Sequence, residues 1–111
     1  MKLYKHEYSS FLNKREFSVI ELEVEEKTKI YKVISCNKAF YGKTFISKES
    51  INKLQYSCGY FMYSFSTDNT EFIRALVAKK EQSIKNLIEQ LENANKEKKD
   101  LLEMLGGVNN G

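Results

Sequence analysis

The chain has no proline and no tryptophan, one histidine, two cysteines and five glycines in 111 residues. Each shortage excludes something. Without proline, no turn is marked by that residue and no rigid polyproline linker divides the chain. With His6 as its one histidine and no cluster of Cys or Asp around it, the sequence supplies no set of ligands for a transition metal. His6 sits beside Glu7 near the N-terminus and is expected at the surface. The two cysteines, Cys36 and Cys58, have neither CxxC nor zinc-site spacing and read as reduced, partly buried thiols. Long apolar runs are also missing: the longest, Gly59 to Tyr63, is far short of the roughly 20 residues that span a bilayer. The start, Met1 to Glu7, has charge but no apolar stretch behind it, so neither a signal peptide nor a membrane anchor is expected. The expected location is cytoplasmic.

Enough apolar residues are present to fold. They make up 41% of the chain, and seven Tyr and seven Phe bring the aromatic share to 13%, too much for a disordered segment. A length of 111 residues predicts one domain with a modest core. Basic character comes almost wholly from lysine, with 16 Lys against 2 Arg, alongside nine Asn and eight Ile. That profile follows from AT-rich codons, as in low-GC Gram-positive bacteria and their phages.

Hydrophobic spacing predicts an α+β protein: an antiparallel sheet made of a hairpin and a further strand, then a long C-terminal amphipathic helix. Ile20, Leu22 and Val24 alternate with Glu21, Glu23 and Glu25 at period two, a strand with one solvated face. Glu26 to Lys29 reads as a turn and Ile30 to Ser35 as the returning strand, which brings lysines toward the acidic face. Ser47 caps a short helix over Lys48 to Leu54, and Tyr60 to Ser66 forms another strand with Phe61, Tyr63 and Phe65 on one face. Residues 1–16 fit strand or helix equally well. Asp68-Asn69-Thr70-Glu71 has the pattern of a capped helix start, and Gly106-Gly107 marks the expected stop. The expected division is a β-rich basic region over 1–66, a helix over 67–106 and a flexible tail over 107–111.

Along that helix Ile84, Leu87, Leu91, Leu101 and Leu105 follow a 3-4 heptad spacing, with Ala94 and Lys98 as weak members. The polar stretch from Asn93 to Asp100 is part of one rod or the turn of a helical hairpin; without Gly or Pro there, one rod is favoured. A small β region leaves this stripe uncovered, so a homo-oligomer joined through it is expected.

The second concentration is one of charge. Residues 27–53 hold seven lysines against one acid, Glu49, a local charge of +6, with Tyr31, Phe40, Tyr41 and Phe45 between them. Lysines neutralise phosphates and rings stack on bases, so Lys29, Tyr31, Lys32, Tyr41, Lys43 and Lys48 are the candidate ligands for an anion or nucleic acid. The plainer reading is a set of solvated lysines, and the absence of Arg from the run favours it. Asn37 to Thr44 ends in the Gly-Lys-Thr of a phosphate-binding loop, but Asn37 stands where that loop needs Gly, and the expected fold has no βαβ unit to hold it. No nucleophile stands beside a base, so no enzyme and no cofactor is expected.

From Val24 to Val33, through Ile46-Ser47-Lys48-Glu49 and Met62-Tyr63-Ser64-Phe65, into a Glu/Lys-rich helix, the chain resembles small proteins of Gram-positive phages and mobile elements. The resemblance implies a stoichiometric, non-enzymatic inhibitor of a host immune system. Anti-CRISPR proteins and sponges for signalling nucleotides are of this kind, with a host protein or a nucleotide-like ligand as partner. It transfers no individual residue. The alternative from a different class is a nucleic-acid-binding accessory or regulatory protein using the same lysines.

Overall fold

A computed structural model describes residues 1–37 and 44–110. Six antiparallel strands form one curled sheet: β1 (Lys2–Phe11), β2 (Lys14–Glu26), β3 (Ile30–Cys36), β4 (Phe45–Ser47), β5 (Gln55–Tyr56) and β6 (Tyr60–Ser64), in the spatial order β4-β3-β2-β1-β6-β5. One helix, α1 (Thr70–Asn110), follows. The chain divides into two compact units, Met1–Leu76 and Val77–Gly111.

The hairpin β2–β3 lies where the alternation puts it, and the N-terminal segment resolves as a strand. β1 pairs with β2 from Phe11↔Lys14 back to Lys2↔Glu23, which leaves a two-residue turn at Leu12-Asn13. Both turn residues have positive φ, 49° and 64°. That is the conformation a tight hairpin demands, and Asn suits it far better than Leu. β2 is long enough to serve two neighbours, β1 along most of its length and β3 over Leu22 to Glu26, with a bulge between Glu23 and Val24. Bulges sharpen twist, and the sheet curls on itself. Ile51, just beyond a single 3-10 turn (Lys48–Ser50) capped by Ser47, bridges to Tyr63, and the Asn52 amide donates to the Tyr63 carbonyl at 2.8 Å. This draws the β4 edge toward β6.

Period two then sorts the residues onto two faces. Leu3, Ile20, Leu22, Val24, Tyr31, Ile46 and Tyr63 meet on the concave face as the main core, with Val33, Ile51 and Phe61 at its margin. On the opposite face Met62, Phe72 and Leu76 form a second core, flanked by Tyr8, Leu54, Tyr60 and Ala75. The first two turns of α1 are therefore held by the sheet.

His6 joins them. Expected at the surface, it is 1% exposed. It belongs to the face that the helix start covers, 5.9 Å from the Phe72 ring. Its Nδ1 lies 2.7 Å from Asn69 Oδ1, and its Nε2 lies 2.6 Å from Ser64 Oγ and 2.9 Å from the Ser66 carbonyl oxygen. Asp68 Oδ1 accepts from the Thr70 amide at 2.9 Å and caps the helix, as the Asp68–Glu71 pattern predicts. The cysteines differ from expectation: Cys36 and Cys58 are exposed where partly buried thiols are expected.

The helix is one unbroken rod of 41 residues, about 60 Å at 1.5 Å per residue. It runs through Gly106 and Gly107 rather than stopping there. A mid-helix glycine costs about 1 kcal/mol relative to Ala, which weakens a helix without ending it.

Two substitutions test this account. His6→Ala removes buried packing and takes away the imidazole that Asn69 Oδ1, Ser64 Oγ and the Ser66 carbonyl share, so urea denaturation should show a loss of about 2–4 kcal/mol. A change below about 0.5 kcal/mol, within the range of ordinary surface substitutions, would mean the contacts are idle. Leu12→Asn relieves the left-handed backbone and should gain about 0.5–1 kcal/mol in the same assay. Destabilisation would show that the turn is formed differently.

Candidate ligand-binding trough

The acidic strand pairs with two of the seven lysines in the run. Lys27 Nζ lies 2.8 Å from Glu25 Oε1, and Lys48 Nζ lies 2.7 Å from Glu26 Oε1. Lys48 also stands 5.3 Å from the centroid of the Tyr31 ring. Tyr31 itself is buried, with Ile46 as its register partner and Phe65 edge-on at 5.8 Å. It packs the core and offers no open face to a base. Lys29 and Lys32 are exposed, Lys32 opposite Glu25 in the ladder. Tyr41 and Lys43, with most of the Gly-Lys-Thr segment, lie outside the described residues. Of the candidate ligand residues that are described, Tyr31 and Lys48 meet side chain to side chain and the Lys48 amide donates to the Lys29 carbonyl at 3.0 Å, which builds a clasp between β3 and the turn after β4.

A different lysine occupies the more unusual position. Lys5 follows Leu3 at period two and stands on the concave, apolar face, opposite Ile20 on β2 and Tyr63 on β6. It is 9% exposed. Its Nζ lies 3.6 Å from Glu7 Oε1 and 4.8 Å from the Phe61 ring centroid. A buried ammonium is costly unless charge and ring electrons compensate it, and both are present.

Two hollows open along this face, and Lys5 and Phe61 line both. One, of about 570 Å³, runs toward the β1–β2 turn past Glu7 and Glu16. The other, of about 520 Å³, is walled by Phe45, Tyr56, Phe61 and Tyr63, with Ser47, Ser50, Ser57 and Gln55 among its polar groups. Gln55 Nε2 is buried and has no acceptor among the described residues. An unmet buried donor carries a penalty of about 1–3 kcal/mol. A hollow holding an ammonium and an orphaned amide donor, among rings, is chemically suited to an anion or carbonyl oxygen attached to a flat group.

Tyr63 completes the wall. Burial, and secondarily the Glu7 carboxylate, pushes its phenol up to about 12. Among the described residues no three of His, Cys, Asp and Glu come together as metal ligands. No helix there is long and apolar enough to cross a membrane.

None of Lys5, Gln55 or Tyr63 was named by the lysine run. The one available signal is Lys5 in phase with Leu3.

The raised phenol has a consequence for stability. The folded state favours neutral Tyr63, so its contribution is complete below the unfolded value of about 10 and is lost as pH rises toward about 12. Tyr63→Phe should remove that part of the alkaline loss, read from denaturation midpoints at pH values of about 9 and 11. Equal losses in both proteins would contradict the burial of the hydroxyl.

The sequence matches no family model, and no curated protein and no solved structure resembles it significantly.

Proposed function

We propose that this chain is a non-enzymatic binding protein that captures a small anionic ligand, nucleotide-like in chemistry, in the Phe45–Phe61 hollow. The single observation behind the reading is Gln55 Nε2, a buried donor with no acceptor among the described residues, on a side chain that lines the hollow together with Lys5. An anionic oxygen would satisfy the amide and add to the charge already facing the lysine. Tyr56 and Phe45, both exposed at the hollow, supply faces for a base. The one histidine is occupied in anchoring the helix, which favours capture over acid–base chemistry. The phage-protein resemblance supports a role in host cytoplasm as an inhibitor of an immune system, acting by withdrawing a signalling nucleotide. The exposed helix stripe supports a homo-oligomer as the working form. The alternative, nucleic-acid binding through the lysine run, is disfavoured by the pairing of Lys27 and Lys48 with Glu25 and Glu26.

Native mass spectrometry of gently purified protein should show a retained nucleotide-sized mass. Calorimetry against a panel of mononucleotides and cyclic dinucleotides should find a binder. Lys5→Met and Gln55→Leu should each weaken it by about tenfold, the value of one charge-assisted or buried hydrogen bond. Lys29→Glu with Lys32→Glu should leave it unchanged. The reverse pattern, with steep salt dependence toward oligonucleotides, would replace this reading by the nucleic-acid one.

A further inference from the structure

Within the unit Val77–Gly111 the apolar stripe of α1 is bare. Ile84, Leu87, Ile88, Leu91, Leu101, Leu102 and Leu105 are all between 50% and 62% exposed. A run of this kind on a soluble helix needs cover, and the order of residues along it says which cover fits. In heptad terms Ile84, Leu91, Lys98 and Leu105 share one core position (a). Leu87, Ala94 and Leu101 share the other (d).

A parallel pair stacks like on like. It would set Lys98 against Lys98 and, further back, Lys80 against Lys80 inside the seam, and would leave Ala94 against Ala94 as a gap. An antiparallel pair stacks a on d. Of its registers, the one centred near residue 96 places Leu87 against Leu105, Leu91 against Leu101 and the small Ala94 against the long Lys98, each layer occurring twice. Sliding by one heptad in either direction puts Lys98 on a leucine. In the favoured register Ile88 and Leu102 meet at the flank, which accounts for a stripe wider than the a/d seam alone. Asn95 faces Asn95 on the same flank, and Glu97 faces Glu97 on the other.

We infer that α1 associates with a second copy of itself, antiparallel and centred near residue 96, with Lys98 seated over Ala94 of the other copy. This deepens the proposed oligomer and rests on it.

The test uses the full chain with Cys36 and Cys58 replaced by Ser, in two mass-distinguishable forms carrying Leu87→Cys or Leu105→Cys. On mixing and mild oxidation, the antiparallel register should give disulfide-linked heterodimers only, because like positions lie about 27 Å apart at 1.5 Å per residue. Homodimers of each form would overturn the antiparallel assignment while leaving self-association standing. A wild-type monomer by sedimentation equilibrium would overturn self-association itself. Glu97→Gln provides a check without touching the seam. It should tighten the wild-type dimer about twofold by removing a like-charge pair. In a parallel pair Glu97 would face Leu102, so no tightening would also overturn the register.

Discussion

The imidazole of His6 sits where three parts of the chain must meet. It projects from β1, reaches Ser64 at the end of β6 and Ser66 beyond it, and closes on Asn69 at the threshold of the helix. Phe72 packs against its ring and Met62 lies beneath the same turn. Remove it and the first strand loses a side-chain tie to the sixth that backs up their backbone ladder, and the helix start loses one of its anchors. A phenyl ring could fill the space but would offer nothing polar to Asn69 Oδ1 or to Ser64 Oγ. Both faces of the sheet depend on this arrangement. The convex side gains its second core from it, and β1 is held beside β6 so that Lys5 stands over the concave trough.

Elements with a clean period were legible from the residues alone. Ile20 to Val24 against the glutamates and the return strand from Ile30 appear where the alternation places them, and the aromatic strand from Tyr60 appears too, ending at Ser64 instead of Ser66. So does the single uninterrupted helix. β1 was not legible, for a physical reason. Its turn is Leu12-Asn13, with none of the glycine that normally announces a two-residue hairpin, and the strain is borne by ordinary residues. Gly106 and Gly107 misled in the opposite direction, since a helix with a strong preceding run tolerates them.

Charge was legible as a quantity and not as an arrangement. The lysine run is real, but which lysines are spoken for depends in part on pairing that brings Glu26 to Lys48, twenty-two residues on, while Lys27 meets its close neighbour Glu25. The trough is assembled from Gln55 and Tyr63, on consecutive strands, and from Lys5 on a strand about fifty residues earlier, so no local motif could reveal it. His6 was misplaced because its partners arrive some sixty residues later. A lone histidine beside a glutamate looks solvated until the chain that buries it is in place.

The strand order also constrains how the molecule comes into being. β1 lies between β2, its immediate neighbour in sequence, and β6, whose pairing begins at Tyr8↔Tyr60. Contacts between such distant segments form late, because loop closure must precede any gain from them. During synthesis the β1–β2–β3 meander can pair as it emerges. Its open edge, with His6 still lacking partners, then waits for residues 60–69. For that interval the nascent chain presents an unpaired strand to whatever is nearby, and the sixth strand and helix start are what retire it.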